Sequence, residues 1–272
     1  MSSSAILLRS RADKIMDTTL LIIAAANAVI GWSIGICGIA GFLLPMLYTA
    51  ALGYSVELAL AASFLAFLVS GVIGSYNYYR AGNLEKNISL KLSAGSIAGA
   101  VAGVYLQALI SQSAAKTILY LVVLVSGLSI LYRLWQERKP SCAVGSEPAH
   151  DGRLVDKTWF LLALGLSTGA VCSLSGAGGP ILVMPLLVTL SVSPRLAVGI
   201  ALLNSVFIAV PSCLGYLARV NAAELWQLLL LVCVSHGMGV LVGSRMASVV
   251  PINALKIFVA VFSVGIAIYM LA

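Results

Sequence analysis

The chain has 272 residues, of which 61% are hydrophobic and 9% charged, with a formal net charge of +7 and a mean hydropathy of +1.06. An ordinary soluble domain carries about 25% charged residues, so this composition cannot solvate the surface of a soluble globule. It excludes a cytosolic enzyme, a nucleic-acid binder and a disordered chain, and it leaves a polytopic membrane protein.

The apolar residues come in long runs without alternation, which reads as helices and not as a β-barrel. The basic balance is therefore an orientation signal, set by Lys and Arg flanking apolar runs. Five cysteines are present, Cys37, Cys142, Cys172, Cys213 and Cys233. They show neither CxxC nor Cys/His metal spacing.

In chain order, Arg9, Arg11 and Lys14 precede the first apolar run. That run continues from Thr18 to about Leu52, too far for a secretory signal core, so it reads as an uncleaved membrane segment. Eight segments follow from hydropathy, at 18–52, 56–79, 92–111, 116–136, 158–193, 196–218, 225–245 and 252–271. About 20 residues cross the hydrocarbon core as a helix. Six segments fit one crossing. The first and fifth exceed one straight helix yet fall short of two full helices and a turn.

The polar stretch 137–157 divides the chain nearly in half. It predicts a first transmembrane unit over 1–136, a linker loop, and a second unit over 158–272. The halves read as repeats of four segments, in the order long, short, short, short. Gly38 and Gly41 correspond to Gly176 and Gly179, Gly103 to Gly243, Lys116 to Lys256, and Asn83 to Asn221. Chance similarity in an apolar chain is the plainer alternative.

Two topologies remain open at this point. If each long segment crosses once, both termini and the linker share one face with twelve cations. Lys116, Arg195, Arg245 and Lys256 then lie on the other. If each long segment turns back as a hairpin, the halves are inverted and the cations divide eleven to five. Either way the linker is expected in the cytoplasm.

The sharpest feature lies in the fifth segment, Ser173-Leu-Ser175-Gly176-Ala-Gly178-Gly179-Pro180, with Pro185 beyond. These glycines and prolines predict a helix break. A new half-helix is expected to begin near Pro180, with its free N–H groups and positive dipole end inside the membrane. Such a break must face protein or a watery cavity. The first segment carries a milder version with Gly35, Gly38, Gly41 and Pro45. Paired breaks are a pattern of transporter sites; a simple packing kink is the alternative.

These residues resemble the sulfite exporter TauE/SafE family. The SGAGGPILVMPLL stretch carries most of the resemblance, and the two-half layout and length agree along nearly the whole chain. The first half departs from the pattern, since CGIAGF lacks adjacent glycines. The resemblance implies a bacterial inner-membrane permease for sulfite, sulfonates or related sulfur oxyanions, usually an exporter. It also suggests small hydroxyl or amide residues near the substrate path.

The candidate substrate-binding set is Ser175, Gly176, Gly178, Gly179, Asn204, Ser205, Ser63, Gly38, Gly41 and Arg245, with Ser70 beside them in the second segment. Neutral donors suit a partly dehydrated oxyanion, and helix–helix hydrogen bonding is the alternative for each serine. His236 is the histidine inside an apolar segment, and it is a candidate for proton coupling or for neutral packing. Arg195, Arg245, Lys116 and Lys256 could form an anion funnel or be interfacial side chains.

No Asp or Glu lies mid-segment, which favours an anion over a cation. Gly95, Gly99 and Gly103, echoed by Gly239 and Gly243, read as close helix packing. No nucleotide motif and no catalytic set is present, so the expectation is a gradient-driven transporter and not an enzyme. It needs no cofactor or metal. Its partners are a small anion and the bilayer, with a homo-oligomer left open. The rivals are uptake of another small organic anion on the same fold, and a non-transporting structural subunit.

Overall fold

The structure is a computed structural model that describes residues 20–36, 38, 40–138, 155, 157–190, 192–220, 222–246, and 257, 260, 261, 264, 265, 268 and 269. All described elements are helical: α1 (Leu20–Ile36), α2 (Ala40–Ala51), α3 (Val56–Arg80), α4 (Lys86–Leu109), α5 (Gln112–Arg138), α6 (Thr158–Ser175), α7 (Gly179–Thr189), α8 (Pro194–Leu217) and α9 (Ala222–Met246). Five of them, in α3, α4, α6, α8 and α9, are long and apolar enough to cross a membrane. Most of the linker, and Cys37, Cys142, His150, Asn221 and Lys256, lie outside the described residues.

Helix starts and stops follow local chemistry. Ser55 caps α3 by accepting the Leu58 amide at 3.3 Å, and Pro194 sits in the first turn of α8, where its missing N–H costs nothing. The predicted starts err most at α4. It begins at Lys86 because Lys86, Asn87 and Lys91 extend the helix past the apolar run that hydropathy detects.

The outer surface is apolar, with Leu21, Tyr105, Leu109, Leu214 and Met238 among its exposed side chains, as a lipid-facing surface requires. The interior holds buried hydroxyls, many of which bond back to their own helix carbonyls. Ser63, for example, donates to Ala59 O at 2.6 Å.

Glycines set which helices meet. On α4, Gly95, Gly99 and Gly103 face the backbones of Leu162, Leu166 and Ala170 on α6. On α9, Gly239 and Gly243 face Ala28 and Trp32 of α1. A Cβ at these positions would strike backbone, so the small-residue runs read from the sequence are close packing seams.

These pairs also give direction. Positions rise together along α1/α9 and α4/α6, so each pair is parallel. The α3/α9 pair is parallel too, through Val69 with Gly237 and Asn77 with Ser244. So is α4/α8, through Val104 with Gly215 and Gln107 with Arg219. The α3/α8 pair is antiparallel, with Gly71 on Ser205 and Gly74 on Leu202.

It follows that α1 and α3 run the same way, and so do α6 and α8. The chain must therefore reverse within each long segment, and α2 and α7 are the return arms. Across the first hairpin, Asn27 Nδ2 donates to Tyr48 Oη at 2.8 Å. Between the open topologies, the helix directions select the hairpins. The linker ends and the 81–85 and 190–193 connections lie on one face, the linker face. The start of α1 and the 52–55 and 218–220 connections lie on the opposite face.

Candidate functional site

Both hairpin tips are built by glycine. Gly176 ends α6 at φ 70°, and Gly178 precedes α7 at φ 75°, a backbone region that other L-residues rarely adopt. The Gly176 amide donates to Cys172 O at 2.8 Å. Ser175 Oγ accepts the Ala177 amide at 3.3 Å, and the Cys172 thiol donates to Gly178 O at 3.4 Å. The turn is therefore held by its own flanks. Then α7 begins at Gly179 with Pro180 in its first turn, as the sequence predicts. Helix geometry leaves the Gly179 and Ile181 amides without an intrahelical acceptor.

The first tip is centred on Gly38, at φ 72°. It is followed by a 3-10 turn over Ala40–Phe42 and a wide π turn over Leu47–Ala51. Thus α2 is not a regular helix, consistent with the missing donor at Pro45. Thr49 Oγ1 donates to Pro45 O at 2.8 Å.

The two tips touch each other reciprocally. A Cβ built on Gly38 would lie 3.7 Å from Pro180 Cβ, and one on Gly176 would lie 3.0 Å from Pro45 Cγ. Between them is a small cavity of about 10 Å³, room for about one water. It is lined by Ile34, Gly38 and Gly41 of the first hairpin, Phe67 and Ser70 of α3, Ala177, Gly178, Pro180 and Ile181 of the second hairpin, and Ser205 of α8. None of these residues is charged. Ser205 Oγ donates to Leu202 O at 2.8 Å and Ser70 Oγ to Phe67 O at 3.2 Å, so each hydroxyl oxygen keeps lone pairs and can rotate.

The family model of the sulfite exporter TauE/SafE family matches residues 19–270. The chain belongs to the sulfite exporter TauE/SafE family. As a TauE/SafE member it is a multi-pass membrane protein of a transporter family. It is also similar to the probable membrane transporter protein YdhB of Bacillus subtilis (strain 168), at 25% identity over 239 residues, covering 87% of this chain and 92% of that protein. No solved structure matches it.

Within this TauE/SafE fold, the predicted site residues divide. Gly38, Gly41, Gly178 and Ser205 line the cavity. Gly179 backs against Ser205, where a Cβ would come within 3.0 Å. Gly176 and Ser175 shape the tip and do not line the cavity.

Ser63 and Asn204 are fully buried elsewhere. The helical period places Asn204 with Ala197, Ile200 and Ala201, on the face of α8 toward the second hairpin. Both polar ends of its amide lack a hydrogen-bond partner. Arg245 is exposed at the end of α9. Helix direction also separates Lys116, at the start of α5, from Arg195 and Arg245 on the linker face, so these cations do not form the single funnel expected.

His236 is buried where α9 crosses α1, and the missing side chain of Gly31 makes room for its backbone. The Asn27 backbone lies beside it, yet neither ring nitrogen makes a hydrogen bond of good geometry. Sequence reasoning missed Phe67, Ile34 and Pro180 as lining residues. Apolar side chains in an apolar helix carry no signal of which cavity they face.

Proposed function

We propose that the protein is a secondary transporter that exports small anions, most favourably sulfite, organosulfonates or related sulfur oxyanions. The observation that carries this reading is the N-terminus of α7 opening at a cavity shared with the first hairpin tip. Its unpaired amides and dipole end attract negative charge. Phe67 and the glycine tips leave room for about one water, and Ser70 and Ser205 would turn their hydroxyls away from Phe67 O and Leu202 O to donate to an anion. A cation would need carboxylates, and no Asp or Glu of this sequence lies mid-segment. The family name supports a sulfite-type substrate, and the similarity to a probable membrane transporter of Bacillus subtilis supports membrane transport.

In this reading the two halves are inverted repeats, each giving one hairpin, and the substrate binds where the tips meet. The cavity is too small for the anion as it stands, so the tips part to admit it. His236 takes up a proton and couples export to the proton gradient.

The protein resides in the inner (cytoplasmic) membrane with the 137–157 loop in the cytoplasm. Arg80, Lys86, Lys91, Arg133, Arg138, Lys139, Arg153, Lys157, Arg195, Arg245 and Lys256 then lie inside. Arg9, Arg11, Lys14, Lys116 and Arg219 lie outside.

Counterflow in proteoliposomes tests the reading. Saturable exchange of labelled sulfite or a sulfonate, weakened by Ser205→Ala, supports it. Absence of flux with any small anion rejects it.

A further inference from the structure

The tip cavity is separated from the face opposite the linker by a continuous column of side chains. It begins at Phe67, whose ring meets both tips. A Cβ on Gly41 would lie 2.8 Å from it, and one on Gly178 would lie 3.3 Å from it. Phe67 stands edge-on to Phe64, with centroids 5.7 Å apart at 85°. Phe64 in turn stacks on Tyr216 at 5.8 Å and 6°.

Tyr216 Oη donates to Ser173 O at 2.8 Å, next to the second tip. Arg219 covers the outer face of Tyr216, its guanidinium carbon 5.5 Å from the ring centroid. Arg219 is also tied to α4, with Nη1 donating to Gln107 Oε1 at 2.7 Å and Nη2 to Val104 O at 2.8 Å.

We propose that Phe67, Phe64 and Tyr216 form the gate closing the transport path toward the face opposite the linker, and that Arg219 latches it. Phe64 and Tyr216 are 1% and 0% exposed, whereas Arg219 reaches the surface, so the column runs from the cavity lining to the surface. Its members come from α3 and α8, and its hydrogen bonds reach α4 and α6. A shift of the second tip would therefore pull on Tyr216 through Ser173.

The linker side of the cavity is closed differently. There a Cβ built on Gly38 would meet only the aliphatic side chains of Val198 and Pro180 within 4 Å. The two closures differ in chemistry, so a change in the ring column should open one face alone. Ordinary core packing predicts otherwise, since a packing defect loosens the fold toward both faces.

The gate rests on the transport reading, but its test needs no transported substrate. A reporter is made by Ser205→Cys in a chain whose five native cysteines are replaced by serine. A membrane-impermeant thiol reagent is applied from each face of oriented vesicles.

Phe64→Ala removes both ring contacts, and Phe64→Leu keeps much of the volume without stacking. Each is expected to speed labelling from the face opposite the linker by about tenfold, the population factor carried by an aromatic pair. Labelling from the linker face stays unchanged, and Arg219→Gln acts in the same direction. Unchanged labelling from the opposite face, or equal acceleration from both faces, overturns the gate. Loss of the gate effect in the reporter chain, with anion exchange intact in a chain that keeps Ser205, rejects the gate alone. One-sided acceleration in the reporter chain, without any exchange in a chain that keeps Ser205, rejects the transport reading and leaves the barrier.

Discussion

Asn27 and Tyr48 hold each other across the first hairpin: Asn27 Nδ2 donates to Tyr48 Oη at 2.8 Å, and that hydroxyl donates to Asn27 Oδ1 at 3.1 Å. Asn27 Nδ2 also donates to Ile23 O, so the amide is fixed from both sides. This clasp keeps the return arm α2 against α1 inside an apolar bundle, where an unpaired amide would be costly. Tyr48→Phe is expected to destabilise the protein by about 1 kcal/mol, the net worth of one buried hydrogen bond. Thermal unfolding in detergent reads this directly, and an unchanged midpoint would show that the clasp is dispensable.

The tip glycines make a second prediction. Gly176 and Gly53 share a left-handed backbone, at φ 70° and 68°. Alanine at Gly53 would meet nothing within 4 Å, whereas at Gly176 its methyl would strike Leu60 and crowd Pro45. Gly53→Ala should therefore cost about 1 kcal/mol from backbone strain alone, and Gly176→Ala should cost about 1–3 kcal/mol more through overpacking. Equal unfolding midpoints for the two variants would contradict the contact between the tips.

Topology is testable without function. The helix directions put Ala81 and Ser193 on one face and Ala218 on the other, and all three are exposed. Single cysteines at these sites, in a cysteine-free chain, should react with an impermeant reagent from the linker face at 81 and 193. Cysteine at 218 should react from the opposite face. Eight single crossings would instead group 81 with 218 and leave 193 apart.

Hydroxyl and amide substitutions separate site from scaffold. Ser205 lines the cavity and Ser63 does not, so Ser205→Ala should slow anion exchange by about tenfold while Ser63→Ala changes it little. Asn204 makes no hydrogen bond, so Asn204→Ala removes an uncompensated buried amide and should leave stability equal or higher. Lower exchange in that stable variant would assign Asn204 a role in transport. A large drop in stability would show that its amide is structural.

The coupling role proposed for His236 predicts a split between two assays. His236→Gln should retain counterflow but lose acceleration of export by an imposed pH gradient. If the gradient still accelerates export in that variant, His236 is a packing residue.

The particular residues show what could be read early and what could not. The Gly176–Pro180 run displays the second break openly, because glycine and proline act on the backbone next to them. The new helix begins at Gly179 as that local chemistry predicts. The small-residue runs at Gly95 and Gly239 likewise announce close packing, since the distance between two helices depends on the side chains at their crossing. Asn204 could not be placed from sequence, because a polar residue in an apolar helix looks the same whichever way it faces. Phe67 stayed hidden for the opposite reason: an apolar ring looks like any other core residue.

By itself, the amino-acid order determined that the chain lies in a bilayer and that its long segments break where they do. Each of these depends on composition or on neighbours along the chain. Only the tertiary structure decided that the breaks are hairpin tips meeting through Gly38 with Pro180 and Pro45 with Gly176. Charge counting left both topologies open, because the cations divide almost equally well either way. Direction is a property of helix pairs, and it became legible once Gly31 met His236 and Gly99 met Leu166.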